Sequence, residues 1–288
     1  MKIKLFEGVA TALITPFKTN EEIDFTALKK LFLRQIEQKA DAVVILGTTG
    51  EPPTLTLAEK HKIIKLSVKL SQTATYKFAL ILGIGGNNPK ESIKLAKFFE
   101  NEIKKQPKNK LLSHGVLLTA PYYNKTTQAG LIEYFKFVAE NINLPIIVYN
   151  VPSRTGMNIE PKTFEKLARI KNIVGVKEAS GNISQIADVV RFCPNLAVYS
   201  GDDTICLASF AVGCRGIISV ASNVSVELLR EIYENASANP KIARDKFLTA
   251  LPFFKSLFVC VNPIPIKYEL SKIGLCKNIL RLPLVPIK

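Results

Sequence analysis

Tryptophan is absent from the chain, and histidine occurs only twice, at His61 and His114. That shortage narrows the chemistry. A zinc hydrolase or a metal-dependent aldolase draws on two or three imidazoles, and a serine–histidine–aspartate site needs one well placed. His61 lies in the lysine-rich run EKHKIIK and His114 in the stretch LLSHG, so both read as solvent-facing rather than catalytic, and no metal site is expected. The five cysteines, Cys193, Cys206, Cys214, Cys260 and Cys276, form no CxxC pair and are odd in number. Most sit in apolar runs, which reads as reduced core thiols. No uninterrupted apolar run reaches the roughly 18 residues that a membrane span needs. Glu7 and Gly8 break the N-terminal stretch MKIKLFEGVATALITPF before it can serve as a secretory signal. A soluble, cytoplasmic protein with no membrane partner is expected.

The chain is 47% hydrophobic and 22% charged over 288 residues, enough for one large α/β domain or two smaller ones. Its net charge is +15. A basic balance can mark a nucleic-acid partner, yet the lysines are spread over many segments, crowding only at 104–110 (KKQPKNK). No basic stripe interleaved with aromatics stands out. No nucleic-acid partner is expected; at most the positive potential helps attract small anionic substrates.

Short apolar runs alternate with longer amphipathic ones. Strands are predicted at 8–15, 41–46, 78–84, 115–120, 144–150, 172–178, 196–201 and 216–220, and helices at 26–38, 56–70, 88–103 and 227–236. Eight βα units in about 240 residues point to a TIM (β/α)8 barrel, with a doubly wound open sheet as the runner-up. The barrel is assigned to residues 1–238 and a C-terminal helical region to 239–288, and residues 101–114 are expected to form a polar surface loop.

In a barrel, chemistry sits at the C-terminal ends of the strands. The segments that follow the predicted strands are GTTGE (47–51), GIGGN (83–87), PYYN (121–124), YNVPSRTG (149–156) and SGDD (200–203), and the sixth strand ends in Lys177. Polar and hydroxylated residues thus collect on one rim. Each segment also has a plainer reading. GTTGE can be a simple turn with local threonine hydrogen bonds, or a cradle for a small carboxylate. GIGGN lacks the spacing of a nucleotide loop. Asp202 and Asp203 suit helix capping.

Lys177 is the sharpest feature, an amine at the end of the apolar run NIVGVKEAS (172–180). On an open edge its stem would pack and its head reach water. Inside a barrel, desolvation disfavours an ammonium ion, and a neutral amine attacks a ketone to form a Schiff base. Tyr149 is a candidate proton shuttle on the adjoining strand. With Tyr149, Thr48 and Arg154 on the same rim, the second reading is preferred.

GTTGE, YNVPSRTG and GVKEASGN, in that order and at those spacings, closely resemble the dihydrodipicolinate synthase family, one of the class I lyases that form pyruvate Schiff bases. The resemblance runs from about residue 6 to NPIPIKYEL and LRLPL near the end. It implies condensation of pyruvate with aspartate-4-semialdehyde in lysine and diaminopimelate biosynthesis, without metal or organic cofactor. Lys177 would carry the imine, Tyr149 would donate and accept protons, and Thr48 would link Tyr149 to Tyr123 across a dimer interface. Thr49 would hold the pyruvate carboxylate, with a backbone contact at Ile218. Arg154 would bind the carboxylate of the semialdehyde, and Gly201, with Asp202, would line the cavity. The implied assembly is a homo-oligomer, a tetramer built as a dimer of dimers, although many relatives continue with a further helix beyond LPLVPIK.

Sister lyases, such as N-acetylneuraminate lyase and keto-deoxy-sugar aldolases, are the alternative. Those acting on sugar acids carry Ser-Thr at the position of Thr48-Thr49 and lack the counterpart of Arg154. A non-catalytic barrel that binds keto acids is a remote alternative. Asn87, Glu91 and Tyr122 match the positions that bind lysine in feedback-inhibited members. Leu57 and Lys60 stand where those members carry imidazoles; Lys60 could pair with Glu91 and would repel a lysine ammonium. Weak or absent lysine inhibition follows.

Overall fold

The structure is a computed structural model that describes residues 4–287. Eight parallel strands close into a barrel in sequence order: β1 (Gly8–Ala12), β2 (Ala42–Ile45), β3 (Phe78–Gly85), β4 (Leu112–Thr119), β5 (Ile146–Asn150), β6 (Ile173–Glu178), β7 (Ala197–Ser200) and β8 (Gly216–Ser219). The open-sheet alternative is thereby excluded, because β8 pairs with β1 through Gly8 and Gly216 and leaves no edge. The helices between strands are α1 (Phe25–Glu37), α2 (Leu57–Ser71), α3 (Pro89–Lys104), α4 (Gln128–Glu140), α5 (Pro152–Thr155), α6 (Pro161–Leu167), α7 (Ile183–Phe192) and α8 (Cys206–Ala211). After β8 come α9 (Val226–Ala238), α10 (Pro240–Ser256) and α11 (Ile264–Lys272).

Local chemistry sets the helix starts. Asp24 caps α1 by accepting from the Ala27 amide. Thr56 and Glu59 form a reciprocal capping box on α2, and Asn88-Pro89 opens α3, as the sequence predicts. Such caps satisfy amides that have no partner within the helix.

Alternation along each strand divides the core. Outward residues such as Val43, Leu80, Leu118, Val148 and Ile217 pack under the helices. Inward residues fill the barrel, and many are small: Ala10, Ala12, Ala42, Ala79 and Ala197. These alanines leave room for Tyr199, whose ring stacks on Phe6 at 4.2 Å and whose hydroxyl donates to the Phe6 carbonyl at 2.8 Å. Leu5 and Phe6 precede β1 and so plug the end of the barrel opposite the polar rim. Each fully buried Leu or Phe contributes about 1.5–3 kcal/mol.

Several expectations need correction. Residues 101–114 are not a loop: α3 runs to Lys104 and β4 begins at Leu112, so the connection is shorter and His114 is a strand residue. Its Nε2 is buried without a hydrogen-bond partner among the described residues, and burial pushes its pKa down to about 4. His61 stays partly exposed, with its ring stacked on Phe98 at 3.6 Å. Cys193, Cys206 and Cys214 are buried, but Cys260 is exposed. The first strand is shorter than predicted and ends at Ala12.

Candidate active site

The bearing of Lys177 depends on a register irregularity. β5 and β6 pair Ile146 with Ile173 and then Ile147 with Gly175, so Val174 is passed over. Strict alternation from Val174, which faces the barrel interior, would put Val176 inside and Lys177 outside. The bulge reverses this. Val176 packs outward with the helices, and Lys177, in register with Tyr149, points inward. A bulge beside a reactive side chain commonly re-aims it in this way.

Lys177 is only 6% exposed and Tyr149 5%. The Lys177 Nζ lies 4.3 Å from the centroid of the Tyr149 ring. Gly201 makes room for the lysine stem: a Cβ there would stand 2.9 Å from Lys177 Cε and 2.7 Å from Ala179 Cβ.

These groups open into a cavity of about 270 Å³, also lined by Thr48, Thr49, Arg154, Asp202 and Asn262. Thr48 and Thr49 belong to a single 3-10 turn, Thr48–Gly50, directly after β2. Arg154 rides on the short α5 that follows β5. Its Nη2 donates to the Asn262 carbonyl at 3.1 Å, while Asn262 Nδ2 donates to Thr49 Oγ1 at 3.0 Å. Because Thr49 Oγ1 accepts that bond, its own proton is left to donate into the cavity. Asp202 caps the turn Asp203–Ile205, as expected. Asp203 instead is buried, accepting from Ser219 Oγ and the Val220 and Ala221 amides, and its burial pushes the carboxyl up. It binds the ends of β7 and β8 together.

A second cavity, of about 580 Å³, shares Thr48, Tyr149 and Arg154 with the first and is walled by Asn87, Glu91, Tyr122, Lys60 and Leu57. Asn87 Oδ1 accepts from the Tyr122 amide at 3.0 Å. Glu91 pairs with Lys94 at 2.9 Å, not with Lys60. The reason lies in position: Lys94 is one helical turn along α3 from Glu91, whereas Lys60 belongs to α2.

Two expected site residues lie outside both cavities. Tyr123 is 90% exposed and has φ +68°, so its ring projects from the surface. Ile218 is fully buried and its side chain packs in the barrel interior, whereas Val220, two residues on, reaches the cavity. Sequence reading missed Asn262 and Phe258, both cavity-lining. The signal for Asn262 was its place at the head of NPIPIKYEL, a polar residue among prolines and aliphatics. Among the described residues, no three His, Cys, Asp or Glu side chains converge as a metal site, and no helix is long and apolar enough to cross a membrane.

A closed parallel barrel with a lysine and a tyrosine facing each other at its C-terminal end, ringed by hydroxyls and a guanidinium, defines the class: a class I, aldolase-type lyase. The profile of the dihydrodipicolinate synthetase family matches residues 5–288. The chain is 43% identical over 285 residues to the 4-hydroxy-tetrahydrodipicolinate synthase of Thermosipho melanesiensis, covering 98% of this chain and 93% of that protein. It is 41% identical over 283 residues to the enzyme of the same name from Caldicellulosiruptor bescii, covering 98% and 92%. The crystal structure of dihydrodipicolinate synthase from Thermotoga maritima superposes with a TM-score of 0.91 at 38% identity, covering 99% of this chain and 94% of that one. This chain belongs to the dihydrodipicolinate synthetase family.

Proposed function

We propose that the protein is a 4-hydroxy-tetrahydrodipicolinate synthase, condensing pyruvate with L-aspartate-4-semialdehyde through a Schiff base on Lys177. The observation that carries this reading is the inward pairing of Lys177 with Tyr149 beneath Arg154 and Thr49. The Lys177 amine attacks the ketone carbon of pyruvate, and the carbinolamine loses water to give an imine. Tyr149 passes the protons. Thr49 donates its free O–H to the pyruvate carboxylate. Loss of a methyl proton converts the imine to an enamine, whose carbon attacks the aldehyde of the second substrate. Arg154 holds that substrate's carboxylate; its planar guanidinium suits a two-point contact. The substrate's amine then attacks the former ketone carbon and displaces Lys177, closing the ring and freeing the enzyme.

Thr48 relays protons between Tyr149 and Tyr123. Within one chain no hydrogen bond joins these three hydroxyls among the described residues, and the exposed Tyr123 serves the site of a second copy. The working unit is therefore a homo-oligomer, a tetramer made as a dimer of dimers, acting in the cytoplasm in lysine and diaminopimelate biosynthesis. The catalytic barrel is assigned to residues 1–238 and the helical region, which carries the cavity-lining Phe258 and Asn262, to residues 239–288; residues 1–3 and 288 lie outside the described residues.

Incubation with pyruvate and borohydride, followed by peptide mass mapping, tests the mechanism. A reduced adduct on Lys177 is expected, and labelling elsewhere or none overturns it. Comparing aspartate-4-semialdehyde with sugar aldehydes as second substrate separates this activity from the sister lyases.

A further inference from the structure

The turn that carries Thr48 and Thr49 is weakly built in itself. It has one 3-10 turn, closed by Gly50 N to Gly47 O at 2.8 Å and Glu51 N to Thr48 O at 3.1 Å. Glu51 ends it in the left-handed region at φ +52°, a backbone conformation that is uncommon for a non-glycine residue. Nearby, Thr15 Oγ1 donates to the Gly50 carbonyl at 2.7 Å; the contacts to the Glu51 and Thr49 side chains come from far along the chain. Glu51 is 2% exposed and forms an ion pair with Lys267 of α11, which is fully buried. Its Oε2 accepts from the Arg281 amide at 3.3 Å. The Lys267 Nζ also donates to the Ile279 carbonyl at 2.9 Å and lies 4.0 Å from the Phe17 ring centroid. On the other side of the same turn, Asn262, just ahead of α11, donates to Thr49 Oγ1.

Stability alone is a poor reason for such a pair. Two charges taken out of water gain little net energy, and well-packed apolar residues often serve as well or better. What the pair does supply is a fixed distance and direction between α11 and the turn. From this geometry we propose that Glu51 and Lys267 are positioning residues for the reaction: through them α11 sets where Thr48 and Thr49 stand over Lys177, and hence how well the pyruvate carboxylate is held. The inference rests on the Schiff-base reading of Lys177.

Three variants test it: Glu51→Gln, Lys267→Met, and the double variant that removes both charges together. Each is compared with wild type by circular dichroism, thermal melting, and the pyruvate concentration giving half-maximal borohydride trapping at Lys177. The double variant leaves no lone buried charge and is expected to keep the fold and melting behaviour. In it, half-saturation moves to at least tenfold higher pyruvate, while trapping at saturating pyruvate still occurs on Lys177. Folded variants that half-saturate within twofold of wild type overturn the proposal. So does failure of all three to fold, which would make the pair structural only. Absence of trapping in the wild type would instead remove the Schiff-base reading itself, so the two failures are distinguishable.

Discussion

Lys177 and Tyr149 sit opposite each other across the β5–β6 pairing, one register step beyond Val148 and Val176, with the amine 4.3 Å from the ring centroid. The bulge at Val174 makes this possible. It spends one residue of an apolar strand so that the next inward position falls on the lysine, while Glu178 turns outward. There Glu178 accepts from Asn150 and Gln185 side chains in the helix layer. Two adjacent charged residues thus have separate surroundings, and only the amine faces the cavity.

Tyr149→Phe keeps the ring face beneath Lys177 and removes only the hydroxyl. Packing is preserved, since the side chain is 5% exposed and gains no volume. Loss of a positioned proton donor costs roughly 10²- to 10⁴-fold in turnover. The expected outcome is a folded variant with kcat reduced in that range and slower, but still lysine-specific, trapping of pyruvate. A variant with wild-type kcat would show that protons travel by another route.

Gly201→Ala is a test of space rather than of function groups. The added methyl would lie 2.9 Å from Lys177 Cε and 2.7 Å from Ala179 Cβ, closer than carbon atoms tolerate. The lysine stem is the movable partner, so it swings away from Tyr149. Steady-state assays should show kcat/KM down by tenfold or more, with melting changed by only a few degrees. Unaltered activity would mean that the amine does not need its present position.

The barrel was legible because its strands are apolar runs separated by amphipathic helices, and this periodicity survives without any knowledge of tertiary contacts. The rim was legible for a related reason: each polar segment follows a strand, and a barrel gathers strand ends in one place. The facing of Lys177 was not. A bulge leaves no mark in a run such as IVGVKE, where either phase is hydrophobic enough to be buried. Asn262, Phe258 and Lys267 were missed because their role depends on α11 folding back over the rim, a contact spanning more than 200 residues that no local pattern announces. His114 was misread because the neighbouring lysines of 104–110 suggested a loop that the longer α3 partly consumes.

His114 gives a pH dependence with a definite sign. Burial holds its imidazole neutral in the folded protein down to about 4, below its ordinary value of 6.5. The unfolded chain therefore binds one proton more between those limits, and stability falls as pH drops from 6.5 towards 4. The contribution is at most about 1.4 kcal/mol per pH unit. Below pH 4 both states are protonated and the slope from this group ends. Urea unfolding of His114→Gln and wild type across pH 4–7 should show a shallower decline for the variant. Parallel curves would mean that the imidazole is already free to protonate in the fold.

Lysine is expected to leave the enzyme almost unaffected at micromolar concentration. In the larger cavity Asn87, Glu91 and Tyr122 offer an amide, a carboxylate and an aromatic ring, a set suited to an amino acid. The same wall carries Lys60, whose ammonium meets a lysine side chain with like charge, and Leu57, which offers no hydrogen bond. Glu91 is also shared with Lys94 in a surface pair. That pair is weak, since both partners are well exposed, so the decisive repulsion is Lys60. Replacing it by glutamine removes a positive charge from the cavity wall without shortening the side chain much. Inhibition curves for Lys60→Gln should then shift to at least severalfold lower lysine than wild type. Strong inhibition of the wild type at micromolar lysine would show instead that Lys60 turns aside and that the cavity accepts the ligand as it stands.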